Sequence, residues 1–434
     1  MTSRDSRVTL TQNQEKKMQV IALVDCDNFF VSCERVFNPS LRKKPVVVLS
    51  SNDGCVISRS EEAKRLGLKM DPYFKIKDFC KDNGVKVFSS NFALYADMSS
   101  RVMSILQDMA PEVEVYSIDE AFLNLSHIPS SRIDAFAKEI RDKILQDTGI
   151  PVSIGISSTK SLAKIAQTIA KKNKQIGIYK LLNEDEQTKA LTVTSASDIW
   201  GIGRSSSLCL EDLGIYTALQ FRDANTSVIR KYLKLPGQKL QHELKGISCF
   251  EIEQIHEAKQ NITVSRSFSR SVVKLDEMQY AVSEFVARAA VKLRRQNSVC
   301  AGVYVYIRTG MFDAGKKYSA NTIEYFDTST NDTAKIITAA KRGLQKIFKQ
   351  GYDFKKAGIV LLNLEEERFK QLSLGEGASD KKSNILSVVD TINQKIGVNT
   401  LFYLAQGVNQ KWKSSRNFCS KNYTTKWNEL LNVS

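Results

Sequence analysis

Val115-Tyr116-Ser117-Ile118-Asp119-Glu120-Ala121-Phe122 decides how the rest of the chain is read. Its alternation of apolar and polar residues predicts a strand that arrives at two adjacent carboxylates and then continues as a second strand. Val113, Val115 and Ile118 turn towards a core, so Asp119 and Glu120 sit at a turn between strands, not on a solvated helix face. A second acidic strand end lies far upstream, in Ile21-Ala22-Leu23-Val24-Asp25-Cys26-Asp27. Two buried strands that both end in carboxylate are costly unless a cation lies between them. A pair of divalent metal ions is the usual solution, and hard oxygen ligands suit magnesium. An isolated Asp-Glu pair is more often an ordinary turn. The remainder of the chain reverses that reading.

The chain has 434 residues, which predicts about three domains. With 42% hydrophobic and 25% charged residues it falls among globular proteins. No run of about 18 apolar residues occurs, so no membrane span is expected. Residues 1–17 are polar and lack the apolar centre of a secretory signal, and they are read as an N-terminal extension. Eight cysteines contain no Cys-x-x-Cys pair, and the three histidines (His127, His242, His256) are scattered. That pattern argues against a zinc site and a disulfide framework and for a reduced, cytoplasmic protein. A net charge of +16 and a pI near 9.3 imply a polyanionic partner or an anionic surface.

In chain order, an apolar strand at 19–24 leads into a helix from Asn28 to Val36. Phe29 and Phe30 therefore follow directly on the first carboxylate, either as core packing or as the floor of a pocket. Pro45–Leu49 reads as a strand, Asn52-Asp53-Gly54 as a hairpin turn and Cys55–Ser58 as the return strand. A helix from Arg59 to Leu66, stopped by Gly67, carries Arg59 and Lys64 within possible reach of phosphates. Tyr73–Cys80 is a short helix and Val85–Phe88 a strand. A long amphipathic helix from about Ala93 to Met109 follows, with Leu94, Met98, Val102, Ile105 and Leu106 on one face. Beyond the acidic turn come a helix Ser130–Gln146, a strand Val152–Ile156 and a helix Lys160–Lys171. That last helix places Leu162, Ile165, Ala166 and Ile169 inward and carries Lys160, Lys164, Lys171 and Lys172. The order predicts an α+β layer with its helices on one face.

Residues 181–192 read as a polar link. Trp200-Gly201-Ile202-Gly203-Arg204 then precedes a helix, and Leu213-Gly214-Ile215 precedes another. Gly201 and Gly203 let backbone N–H groups approach a phosphate at a helix N-terminus, as in helix–hairpin–helix DNA clamps. After a polar linker at 250–261, a second α+β unit is expected. It runs through a strand Ile262–Phe268, a helix Asp276–Arg295, strands near Val299–Arg308 and Thr322–Phe326, a helix Asp332–Lys349 and a strand Ala357–Leu362. Residues 262–362 hold 17 Lys and Arg against 8 Asp and Glu, an excess of +9 within the chain's +16. That concentration points to a nucleic-acid surface. Gln371-Leu372-Ser373-Leu374-Gly375 and a final block from Ile385 to Leu431 complete the chain.

Taken together, these parts resemble the Y-family DNA polymerases, and within them the UmuC-like catalytic subunits of bacterial polymerase V. The resemblance runs from about Met18 to Val433. It is carried by Val24–Phe30, Ser117–Phe122, Tyr95–Met103, Trp200–Gly203, Ser265–Phe268 and the closing motifs around Thr400–Tyr403, Gln406-Gly407 and Tyr423–Thr425. It implies an α+β right-hand polymerase: a ferredoxin-like palm (18–28 and 90–178), small fingers (29–89) and a helical thumb with the helix–hairpin–helix (179–250). A linker (251–261), an α+β little finger (262–365) and a UmuC-type C-terminal region (366–434) follow. By position, Asp25, Asp119 and Glu120 match the catalytic, metal-binding carboxylates, with the Cys26 carbonyl as a further ligand to two Mg2+ ions. Phe30 matches the steric gate beside Phe29. Ser58, Lys64 and Lys171 match the nucleotide site, and Gly201, Gly203, Arg204, Arg266 and Arg270 the DNA contacts. Gln371, Leu372 and Leu374 match a sliding-clamp motif.

Two positions depart from the pattern. Glu61 stands where many relatives have Tyr, and Gly375 where they place an aromatic. The resemblance further implies primer–template DNA and a deoxynucleoside triphosphate as substrates, and a processed UmuD-like dimer, RecA and the sliding clamp as partners. The activity implied is error-prone translesion synthesis in an SOS-type damage response, and no separate acidic cluster for a proofreading exonuclease is seen. A nucleotide cyclase shares the palm and the two metals but needs neither the Gly-Ile-Gly clamp nor the basic second unit. A catalytically inactive polymerase-like scaffold for DNA repair is the alternative, and it requires a missing carboxylate.

Overall fold

The structure is a computed structural model that describes residues 19–173, 176–254, 258–310, 315–369, 380–397, 399–408, 410, 412–413 and 415–431. The clamp motif Gln371, Leu372, Leu374 and Gly375 and the extension 1–17 lie outside these residues. The chain forms two compact units. Among the described residues the first holds 19–48, 56–254 and 419–431, and the second 49–55 and 258–418.

The first unit opens with β1 (Ile21–Cys26), α1 (Phe29–Phe37), β2 (Val46–Leu49), β3 (Val56–Arg59), α2 (Glu61–Arg65), α3 (Tyr73–Asp82), β4 (Lys86–Ser89) and α4 (Phe92–Met109). It continues with β5 (Val113–Val115), β6 (Glu120–Asn124), α5 (Ile133–Thr148), β7 (Val152–Ser157), α6 (Lys160–Lys172) and β8 (Ile178–Leu181). Five strands make one sheet in the order β5-β6-β1-β7-β8, and three make a small sheet in the order β3-β2-β4. All six residues of the central strand β1 are buried, the apolar run Ile21–Val24 and the carboxylate of Asp25 after it alike.

Helices cover both faces of the five-stranded sheet, not one as expected from the sequence. Ala22, Val24, Leu123, Ile154 and Ile156 face a core shared with α4 and α5, whereas Ile21, Leu23 and Phe122 pack on Ala163 of α6. Gly155 makes the second face possible. A Cβ there would stand 2.1 Å from the Gln167 nitrogen and 2.3 Å from the Ala163 carbonyl oxygen, so only glycine lets α6 lie this close. Leu162, Ile165 and Ala166 are buried, as expected, in a separate core that they share with Leu181 of the edge strand and the helices that follow.

Those helices are α7 (Glu184–Val193), α8 (Arg204–Asp212), α9 (Ala218–Asp223) and α10 (Thr226–Leu244). The stretch 181–192, read as a polar link, is mostly α7, capped by Asn183 through the Glu186 N–H. The helix expected from Arg59 begins instead at Glu61 with Ser60 as its cap. Arg59 ends β3, and its guanidinium is spent on the Leu68 carbonyl.

The second unit contains β9 (Ile262–Val272), α11 (Leu275–Arg295), β10 (Ser298–Thr309), β11 (Ser319–Thr330), α12 (Thr333–Ile347), β12 (Phe354–Glu366) and α13 (Asp380–Lys395). Its antiparallel sheet runs β11-β10-β12-β9, with α11 and α12 in the core. The strand–helix–strand–strand–helix–strand order is the one expected. Trp412, 3% exposed, enters this core edge-on to Phe268 and Phe285. Arg294 holds α13 with two hydrogen bonds to Asp390, of 2.7 and 2.9 Å. The Asn52-Asp53 turn takes the positive φ values of 64° and 50° that its residue types favour, and Asn52 donates to the Ser267 carbonyl at 2.6 Å.

Candidate active site

Asp25 and Glu120 are direct register partners on the adjoining strands β1 and β6, which puts both carboxylates at one end of the central sheet. Asp119 occupies the turn just before β6, and its carbonyl accepts from the Cys26 N–H at 2.8 Å. The turn is folded around one hydroxyl. Ser117 Oγ donates to Asp119 Oδ1 at 2.6 Å and accepts from the Asp119 and Glu120 N–H groups at 3.2 and 3.1 Å. The three sequence-predicted carboxylates therefore belong to one end of the central sheet.

Two lysines of α6 lie on them. Lys171 Nζ is 2.7 Å from Asp25 Oδ1 and Lys164 Nζ is 2.9 Å from Glu120 Oε2. Residues seven apart on a helix share a face, so the spacing of these lysines already marks them as a pair. The sequence marks Lys164 only as one of several basic residues on that helix, and the resemblance singles out Lys171. Burial, the largest influence, together with the neighbouring Glu120, pushes the Asp25 carboxyl up to about 8 against the pull of Lys171. Burial also works to raise Glu120, but the hydrogen bond from Asp25 and the charges of Lys164 and Lys171 outweigh it and hold that carboxyl below its ordinary value. Burial would lower Lys171, yet Asp25, Asp27 and Glu120 keep it above the usual lysine range.

Phe29 and Phe30 open α1 directly after this strand end. Phe29 is buried, whereas Phe30 is half-buried and stacks on Tyr95, with ring centroids 4.8 Å apart. A cavity of about 250 Å3 is lined by Cys26, Phe29, Phe30, Ser58, Lys64, Asp119 and Lys171. A second of about 620 Å3 also includes Lys64 and Lys171 and adds Asp27, Glu61 and Lys172. Lys64 Nζ is held by Glu61 Oε1 at 2.7 Å and Asn28 Oδ1 at 2.8 Å.

The predicted DNA contacts lie elsewhere, each within its own unit. Trp200 donates to the Tyr116 hydroxyl at 3.0 Å and packs against Phe122 and Phe250, which ties the Gly201–Gly203 turn to the strand that carries Glu120. Gly201 has φ +90° and Gly203 caps α8, whose first residue is the exposed Arg204. In the second unit Arg266 is exposed on β9, with Arg288 and Arg416 near enough to lower its affinity for the proton alongside burial. Arg270 is paired with Glu277.

Strand-end carboxylates beside a cavity floored by an aromatic, with a helix-capping glycine turn and a basic α+β unit, define a polymerase-type nucleotidyl-transfer fold. Solved structures agree. A Y-family DNA polymerase chimera of Dbh and Dpo4 superposes with a TM-score of 0.65 at 21% identity, over 80% of this chain and 99% of that one. An insertion ternary complex of Dbh DNA polymerase gives 0.52 at 23% identity over the same shares. The chain has the fold of a Y-family DNA polymerase.

The sequence comparisons narrow the class. Residues 24–168 match the impB/mucB/samB family, 259–374 its C-terminal domain, and 383–433 a domain of unknown function (DUF4113). Protein UmuC of Salmonella typhimurium strain LT2 is 41% identical over 95% of this chain and all of that protein. Protein ImpB of Salmonella typhimurium is 38% identical over 95% and 99%, and DNA polymerase IV 1 of Bacillus subtilis strain 168 is 26% identical over 88% and 91%. The chain belongs to the impB/mucB/samB family of Y-family DNA polymerases, in its UmuC branch.

Y-family polymerases use divalent metal ions, and the donors present suit such ions. They are hard carboxylate oxygens, one of which, Asp25 Oδ1, is buried without a hydrogen bond of good geometry. As the side chains stand, no group of three or more His, Cys, Asp or Glu is gathered closely enough to ring an ion among the described residues. Lys171, Lys164 and Ser117 hold the carboxylates instead. Also among the described residues, no helix is long and apolar enough to cross a membrane.

Proposed function

We propose that this chain is an error-prone translesion DNA polymerase acting in an SOS-type damage response. The observation that carries the reading is the register of Asp25 opposite Glu120, with Asp119 beside them and a phenylalanine-floored cavity adjoining. In this reading the domains are a palm (18–28, 90–178), fingers (29–89), thumb (179–250) and little finger (262–365), followed by the C-terminal region. Two Mg2+ ions held by Asp25, Asp119, Glu120 and the Cys26 carbonyl would activate the primer 3′-hydroxyl and neutralise the departing pyrophosphate.

The rest is the work of the chain's own residues. Phe30 presents its ring to the sugar and excludes a ribose 2′-hydroxyl. Lys64 and Lys171, released from their carboxylates, grip the triphosphate beside Ser58. The Gly201–Gly203 turn and Arg204 bind a DNA phosphate through backbone N–H groups and charge. Arg266 and, once freed from Glu277, Arg270 meet the template–primer backbone.

The partners proposed from the family are a processed UmuD-like dimer, RecA and the sliding clamp, the last through Gln371, Leu372 and Leu374. The work of such an enzyme on chromosomal or plasmid DNA is in the cytoplasm. Primer extension on a damaged template with Mg2+ tests the reading. Template-directed insertion opposite the lesion, with no 3′ trimming of mismatched primers, is expected. Failure to extend any primer when the partner proteins are supplied would favour the inactive scaffold.

A further inference from the structure

The ring of Phe30 does not hold its own orientation. It stacks on Tyr95, tilted by 21°, and Tyr95 belongs to α4 and is fully buried. The Tyr95 hydroxyl in turn donates to Glu34 Oε1 at 2.6 Å. Phe30 and Glu34 are four residues apart on α1 and so lie on one face, one above the other. Together they grip Tyr95, one by its ring face and the other by its hydroxyl.

Glu34 is only 2% exposed, and among the described residues no Lys or Arg forms an ion pair with it. Its second donor comes from the far end of the chain: Ser420 Oγ lies 3.0 Å from the same oxygen, Oε1. Ser420 is itself fixed by Asn91. The Asn91 Nδ2 group donates to the Ser420 carbonyl at 3.3 Å, Ser420 Oγ at 3.2 Å and the Lys421 carbonyl at 3.2 Å. The Asn91 Oδ1 atom caps α4, the helix that carries Tyr95. Three residues further on, Tyr423 stacks on Phe37 at the other end of α1, with centroids 4.9 Å apart and planes within 10°. The closing stretch of the chain is thus fastened to both helices that set the ring.

We infer that the C-terminal stretch around Ser420 is a positioning element for sugar selection, acting on Phe30 through Glu34 and Tyr95. This gives a task to a segment that matches a domain of unknown function. It rests on Phe30 being the ring that faces the sugar. A buried carboxylate that loses one of two hydroxyl donors rearranges to recover it, and the Tyr95 ring moves with it. An excluding surface that shifts by a fraction of an ångström discriminates less well.

The test is single-nucleotide insertion by the full chain, comparing kcat/KM for a ribonucleotide with that for the matching deoxynucleotide. A simple loss of folded protein scales both values equally and leaves the ratio unchanged. Tyr95→Phe keeps the stack and removes the hydroxyl, and Ser420→Ala removes the second donor. Each is expected to raise the ribo-to-deoxy ratio by roughly 3- to 10-fold, the span of one hydrogen bond of ordinary net worth. Ser420→Thr retains the hydroxyl and should restore the original ratio, and Phe30→Ala should exceed them all.

If Phe30→Ala shifts the ratio and neither Tyr95→Phe nor Ser420→Ala does, the inference is overturned. A shift in Tyr95→Phe with none in Ser420→Ala overturns it too, because the C-terminal stretch is then not what holds the ring. If Phe30→Ala itself leaves the ratio unchanged, the sugar-facing assignment fails first and this inference with it.

Discussion

The two α+β units differ in how they hold part of their positive charge. In the first, lysines are laid one by one on carboxylates: Lys171 on Asp25, Lys164 on Glu120, Lys64 on Glu61 and, deeply buried, Lys160 on Glu114. In the second, Arg270, Arg294, Arg342 and Lys346 are paired with carboxylates too, but one cluster of cations is crowded. Burial comes first in weakening proton binding at Arg266 and Lys292, and after it come their neighbours, Arg288 and Arg416 for the one and Lys259, Arg266 and Arg288 for the other. One carboxylate, Glu284, serves Arg288 and lies near Arg266. Cations neutralised from within wait for a ligand that takes over their carboxylates. Cations that repel each other are relieved only by a polyanion from outside.

The contrast breaks most sharply at the strand-end carboxylates. Asp119→Ala or Glu120→Ala should lower nucleotide insertion by roughly 1,000-fold or more, on the scale of a lost electrostatic group in other active sites. Affinity for primer–template should stay nearly unchanged, because the charge proposed to meet DNA lies in the other groups of residues. Rapid-quench insertion assays paired with fluorescence anisotropy measure both. Substantial insertion by both variants would sink the metal assignment, and a matching loss of DNA affinity would show that the two kinds of site are not separate.

A middle-sized effect is expected from the crowded cations. Arg266→Ala combined with Lys292→Ala should weaken primer–template binding alike on unrelated sequences, since phosphates carry no base information. The plot of log affinity against log salt should become shallower by about 0.9 for each phosphate contact removed. An unchanged slope would mean that this cluster does not face DNA. Insertion measured at saturating DNA should be nearly unaffected, the reverse of the carboxylate variants.

Much of this was legible before any coordinates. Asp25, Asp119 and Glu120 stand at the ends of strands whose alternation and apolar runs are strong local signals, and their convergence follows from pairing those strands. Lys164 could have been found as well, because its seven-residue spacing from Lys171 is a local property of one helix. The burial of one face of α6 was legible, but not which core that face joins. Leu162, Ile165 and Ala166 look inward from the sequence, but the helix is packed on both sides, and it is the smaller Ala163 that meets the sheet below Gly155. α7 was missed for a different reason. Its first turn is Glu184-Asp185-Glu186 behind an Asn cap, a helix start whose polarity reads equally as a linker. The contact of Ser420 with Glu34 spans 386 residues and has no local signature at all.

The smallest effect tests whether the internal pairing in the first unit restrains its lysines. Glu61 Oε1 accepts from both Lys64 Nζ and Asn28 Nδ2, at 2.7 and 3.2 Å. Both charged side chains are over a third accessible, at 39% and 34%, so the pair is screened and worth about 0–1 kcal/mol. A triphosphate that recruits Lys64 must displace that carboxylate. Glu61→Gln keeps an acceptor and removes the charge, so KM for the incoming nucleotide should fall by up to about fivefold while kcat holds, the pattern of a change in uniform binding. Lys64→Ala should raise KM. In the double variant Glu61→Gln should add nothing, because its effect runs through the missing ammonium. Steady-state insertion kinetics on the four proteins close this cycle. If Glu61→Gln lowers KM equally with and without Lys64, the carboxylate repels the triphosphate directly and the lysine is not the group being restrained.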